Sequence, residues 1–253
     1  MEYFVEKGSI VREIWGKSDT VLFIFAGASA EFALNKAVDW LYFTGKLPAD
    51  PLGRLFSTVE YARKIVFSEK GAALASIDQI TAIHSAVEAS RGAKIPDWAY
   101  RDVLFMLIDY SVRSFELLER KLTFDEREAV FSTFYRVGQR MGLVGLPENY
   151  KDWLLMRAEH LQKNTENSRF TVDLYKQYRK HLGFVRYVLL KQAQVLVVPQ
   201  RVNELLRLSI IPWLSPVIVA YKLSRILQMD EILKAAILPK EYQKQIKGLD
   251  ITP

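Results

Sequence analysis

The sequence has no cysteine among its 253 residues. That excludes a disulfide framework, a Cys-based zinc site, an iron–sulfur cluster and a haem held by a protein thiolate. Histidine is scarce too. The three present, His84, His160 and His181, never stand four residues apart, and none closes a Glu-x-x-His pair, so zinc and di-iron carboxylate centres lack their ligands. Strand signals are nearly missing, with no sustained apolar–polar alternation and no Asn-Gly or Asp-Gly hairpin dipeptide. No repeat at a solenoid period is visible. No apolar run reaches the roughly 20 residues that a transmembrane helix needs. The nearest contender, Leu208 to Ala220, is broken by Pro212 and Pro216; it reads as a buried core segment, with peripheral membrane contact as the alternative. The start, Met1 to Lys7, carries acids where a signal peptide carries bases, so secretion is not expected and a cytoplasmic location is.

Half of the residues are apolar and a quarter charged, an ordinary globular balance that predicts one helical domain over residues 1–253. The net charge is +6. Lys and Arg read as spread along the chain and mixed with acids, hence as a solvated surface, and no nucleic-acid partner is expected.

Helical punctuation is frequent. Ser9 to Gly16 forms a short amphipathic opening, and Asp19 or Thr20 caps a long apolar helix, Val21 to Tyr42. Its small-residue centre, Ala26 to Ala30, admits either a close helix crossing or a flat ligand. A loop from Gly45 to Gly53 precedes a helix from Arg54 to Ser68. Ser76 and Gln79 make a capping box for a helix that ends at Gly92. Further helices run from Asp97 to about Lys121, from the Thr123–Glu126 capping box to Gly142, and from Asn149 to about Lys163. Asn164 to Ser168 reads as a mobile loop. Two patterns then meet at Gly183, and Pro199 and Pro216 each mark the first turn of a new helix. The last helices fall near 230–236 and 239–247. The fold class is therefore all-α, a single globular multi-helix bundle.

Three residues stand out. His84 shares a helical stripe with Ile77, Ile80 and Val87, so its imidazole points inward. Such a ring is either satisfied by a carbonyl or hydroxyl, or is an axial ligand to haem iron, for which one imidazole suffices. Arg54 and Thr58 lie one turn apart on a common side and can address one object; the structural alternative has Arg54 bonding a loop carbonyl and Thr58 facing the preceding turn. Asp109, just past the apolar run Val103 to Ile108, reads as hydrogen-bonded to a neighbouring helix end. His160, among Glu159, Gln162 and Lys163, reads as a surface residue. His181 reads as a cation at a helix C-terminus.

Gly53-Arg54-Leu55-Phe56-Ser57-Thr58, Tyr61, Gly71-Ala72 and then His84 with Val87 resemble the core pattern of the oxygenases that include the rubber-cleaving latex-clearing proteins and the MpaB enzymes. The similarity continues weakly through Trp98, Asp109 and Gly142-Leu143 to Leu238-Pro239 and Tyr242. It implies haem b as cofactor in a globin-like pocket between helices, with His84 as the proximal iron ligand and Arg54 and Thr58 across the pocket. It further implies O2 and a small hydrophobic substrate as partners. Ser57 stands where the rubber-cleaving branch carries Lys, and the acidic base of that branch has no assigned counterpart, the corresponding upstream stretch holding Val38 and Asp39 in no fixed register. The alternative is a non-catalytic helical binding protein of the same fold that holds no haem.

Overall fold

A computed structural model describes residues 2–208 and positions 216, 218, 221 and 222. The helices expected near 230–236 and 239–247, the resemblance at Leu238-Pro239 and Tyr242, and most of the apolar run from Leu208 to Ala220 lie outside them. Among the described residues the protein is helical, with two isolated β-bridges and no strand.

The chain opens with α1 (Ile10–Gly16), capped by the Ser9 side chain, and α2 (Ser18–Leu34), which starts one residue before the expected Asp19 cap. Val21, Ile24, Ala30 and Ala33 on α2 are buried because this helix lies at the centre, packed on α7 (Asp97–Leu118) and α10 (Arg169–Val197). The small residues at its middle serve a helix crossing: a Cβ added at Gly27 would lie 2.2 Å from the Tyr110 ring of α7. The long helix expected to reach Tyr42 stops at Leu34. Asn35 turns extended, its Oδ1 accepts from the Ala37 amide at 2.9 Å and its Nδ2 donates to Asp102 at 2.8 Å, so side-chain bonds replace the helical ladder. A 3₁₀ turn (Lys36–Val38), α3 (Asp39–Phe43) and α4 (Lys46–Ala49) follow, the last inside the expected loop.

Next comes α5 (Pro51–Phe67), capped by Asp50, with Ser68 and Glu69 alone separating it from α6 (Lys70–Arg91). The expected start of α6 at Ser76 is corrected. Ser76 is interior and 4% exposed, and its hydroxyl donates to the Ala72 carbonyl at 2.9 Å instead of capping. The close at Gly92, with φ of 68°, is as expected. The Thr123–Glu126 capping box opens α8 (Phe124–Arg140), and Asn149 caps α9 (Tyr150–Asn164). The loop read as mobile is tied down: the Glu166 amide donates to the Leu34 carbonyl at 2.8 Å, and Asn167 Nδ2 donates to that of Leu205 at 2.9 Å. α10 bends at Gly183 (φ 72°), and α11 (Gln200–Leu206) follows Pro199, which sits at the cap itself.

Two buried polar networks fasten the bundle. In the first, Arg157 of α9 donates to Glu31 of α2 through both terminal nitrogens at 2.5 Å, and to Asp109 of α7 at 3.0 and 3.1 Å. Burial opposes the Arg157 charge, but Glu31 and Asp109 outweigh it and raise its proton affinity above the usual arginine value. Asp109 thus pairs with the middle of a neighbouring helix as well as with Arg113 at 2.7 Å. In the second, Asp102 accepts from Asn35 and Asn164 and pairs with His160 Nδ1 at 2.5 Å. His160 is therefore not a surface residue: its side chain is 11% exposed and its ring packs on Phe105.

Arg157→Ala should cost about 3–5 kcal/mol, because it strands two carboxylates away from water. Urea unfolding of the variant beside wild type measures this.

Candidate functional site

Arg54, Ser57 and Thr58 occupy the first half of α5, and His84 the last third of α6. Because the two helices fold back on each other, the start of one lies beside the end of the other. The Asp50 cap sets where α5 begins. Its Oδ1 accepts from the Gly53 amide at 2.9 Å, and a Cβ at Gly53 would strike the same carboxylate at 2.0 Å.

Arg54 Nη1 donates to Ser57 Oγ at 3.2 Å and to Thr58 Oγ1 at 2.9 Å, while each hydroxyl donates back to the Arg54 carbonyl. The structural alternative is met in part: Thr58 faces the preceding turn, while Arg54 reaches the two hydroxyls rather than a loop carbonyl. Burial lowers the proton affinity of Arg54, and no carboxylate among the described residues pairs with it. Ser57, in the place of the family lysine, spends its oxygen as a neutral acceptor for this guanidinium.

His84 is half-buried, as are Ile80 and Val87 in the same stripe, while Ile83 beside them is 46% exposed. Its Nδ1 is shielded from water and meets no partner in full hydrogen-bond geometry, although the ring lies within reach of the Ile80 carbonyl one turn back. The ring meets Tyr100 of α7 edge-on, centroids 5.1 Å apart. Burial, then the Arg54 charge, hold the imidazole below its ordinary pKa; Glu88 and the Ile80 carbonyl pull weakly the other way. The ring is thus biased to the neutral form, the one that can ligate a metal.

Sequence reading missed Glu88 and Tyr100. Glu88 Oε1 accepts from the Ile95 amide at 2.9 Å and from Tyr100 Oη at 3.1 Å, while Oε2 accepts from Lys94 at 2.9 Å. One carboxylate therefore seals the α6–α7 turn and aims the phenol whose ring flanks His84. The available signal was spacing, since Glu88 follows His84 by one turn. Asp39 is paired with Arg91 at 2.6 Å, with the guanidinium carbon 4.0 Å from the Trp40 ring centroid. His181 is exposed, two residues before the bend of α10 at Gly183.

The family model described as "ER-bound oxygenase mpaB/B'/Rubber oxygenase, catalytic domain" matches residues 15–225. The chain belongs to this family. No curated protein and no solved structure matches it. Membership makes this an oxygenase catalytic domain, with O2 and a substrate as reaction partners, and the matched span contains α2 to α11 with the whole Arg54–His84 region. No described helix of this oxygenase-family chain is long and apolar enough to cross a membrane.

The depressed pKa of His84 has a measurable sign. The folded chain holds this proton less tightly than the unfolded chain, so the stability due to the neutral ring is complete above the ordinary value of 6.5 and is lost as pH falls below it. His84→Gln removes that titration. Unfolding free energies followed from about pH 7.5 down to about pH 5 should fall more steeply for wild type than for the variant.

Proposed function

We propose that this oxygenase-family chain holds haem b, with His84 as the iron ligand, and oxidises a small hydrophobic molecule. The observation that carries the reading is the pairing of a neutral-biased imidazole, its Nδ1 shielded from water and in reach of no more than the Ile80 carbonyl, with a guanidinium that no described carboxylate neutralises. An imidazole in this state fits an axial ligand, and an unneutralised buried cation fits a propionate. The haem would supply the oxygen chemistry.

The chain's own residues bind and orient. Arg54 would accept the propionate charge, held in position by Ser57 and Thr58; Thr58 would offer a hydroxyl on the same side. Tyr100, fixed through Glu88, limits rotation of the His84 ring. Ile80 and Val87 keep the surroundings of the imidazole apolar, which disfavours its protonation.

Protein reconstituted with haem b should show a Soret band that His84→Ala removes. Arg54→Ala should keep the band while weakening haem retention by roughly tenfold or more, the order expected for losing one charge-assisted hydrogen-bonded pair. Wild-type protein that stays colourless after reconstitution would sink the reading and leave a helical binding protein of the same fold.

A further inference from the structure

The positive charge is not spread evenly. Residues 174–203 contain Lys176, Arg179, Lys180, Arg186, Lys191 and Arg201 and no acid, which equals the net +6 of the entire chain; outside this stretch 29 cations balance 29 acids. The expectation of a mixed, solvated surface is thereby corrected. The stretch covers the bend of α10, most of its first arm, all of its second arm and the start of α11, where Arg201 lies. The nearest acids in sequence are engaged elsewhere, Asp173 with the Tyr42 hydroxyl at 2.9 Å and Glu204 with Gln200 Nε2 at 2.7 Å. Among the described residues none of Lys176, Arg179, Lys180, Arg186 and Lys191 pairs with a carboxylate.

At the apex of the bend the two residues after Gly183 are apolar and lie in water. Phe184 is 69% exposed and Val185 68%. The positive φ of Gly183 breaks the helix there, which lifts these side chains off the packed face. Beside the apex, Lys176, Arg179 and Lys191 line a cavity of about 320 Å³ between the two arms, with Tyr187 and Thr171 in its wall.

We infer that the bend of α10 is a docking element for an anionic phospholipid bilayer, with Phe184 and Val185 entering the acyl boundary and the surrounding cations meeting headgroup phosphates. An exposed aromatic and branched aliphatic pair at a bend whose two arms carry cations and no acid is complementary to a surface that is apolar beneath and anionic above. Nucleic acid offers the anion without the apolar layer, and an acidic protein face offers no reason for Val185 to be bare. The cavity is sized for a headgroup and holds three cations with no acid.

The test is co-sedimentation of the full chain with phosphatidylcholine vesicles, with and without phosphatidylserine, at low and high salt. Binding should require phosphatidylserine and weaken with salt. Arg179→Gln combined with Lys180→Gln should lower partitioning roughly thirtyfold, since each cation near such a surface is worth about fivefold. Phe184→Ser should lower it about tenfold while leaving the salt dependence unchanged. Both variants should keep the wild-type urea midpoint. Three outcomes would overturn the inference: equal binding to vesicles lacking phosphatidylserine, loss of vesicle binding on adding inorganic phosphate with no effect of Phe184→Ser, or tighter binding to a single-stranded oligonucleotide than to vesicles.

Discussion

The bundle depends on one guanidinium. Arg157 is 4% exposed, between Glu31 at 1% and Asp109 at 8%, and a charge so placed is tolerable only because both its faces are met by carboxylates. The count closes to zero once Arg113, bound to the outer oxygen of Asp109, is included. Tyr110 donates to Glu31 at 2.8 Å and packs its ring against Gly27, so the same side chain fixes the spacing of α2 and α7. Asp102 repeats the arrangement nearer the end of α2, where Asn35, Asn164 and His160 converge on one carboxylate. These directional contacts allow one relative placement of α2, α7 and α9 where apolar packing alone tolerates several.

The α5–α6 pair works on a different principle. Its inner residues, Val59, Ala62, Ile65, Val66, Ala73 and Ile77, are buried, and towards Arg54 and His84 the cover thins. Burial lowers the proton affinity of both basic groups, and the Arg54 charge lowers that of His84 further. The ion that can carry less, the imidazole, gives way and stays neutral while the guanidinium stays charged. The pair is therefore differentiated by chemistry into one soft donor and one fixed cation, a combination suited to a ligand with both a metal and an anionic edge.

How legible was this in the sequence? Thr123 with Glu126, Asn149 and Gly92 are local devices, and each sits where its pattern placed it. Ser76-x-x-Gln79 has the same pattern and misleads, because a hydroxyl at 4% exposure can bond its own preceding turn and a helix with a buried face runs through the signal. His160 was misjudged on its sequence neighbours, which lie on other faces; at helical spacing its companions are Trp153, Arg157 and Asn164, all on the side facing Asp102 and Asp109. The Arg54, Thr58 and His84 constellation was readable as residues and Glu88 by its one-turn spacing from His84, but Tyr100 was not, since its link to His84 is a carboxylate crossing a turn between two helices. The local excess of charge was readable throughout and was hidden by summing over the whole chain.

The bend at Gly183 can expose apolar side chains because both arms of α10 are held independently. Before it, Leu174 and Tyr178 are wholly buried against Ala33, Val38 and Leu47; after it, Gln194 donates to Ser29 Oγ at 3.1 Å and Val197 joins the main core. A force applied at Phe184 is therefore borne by α2 and by the short α4, and α4 adjoins the first turn of α5, where Arg54 begins its contacts. A docked surface at the bend would thus share a rigid support with the Arg54–His84 region. On the proposed function, a substrate concentrated in a bilayer would then meet the Arg54–His84 region in a fixed orientation, without any helix having to unfold to admit the contact.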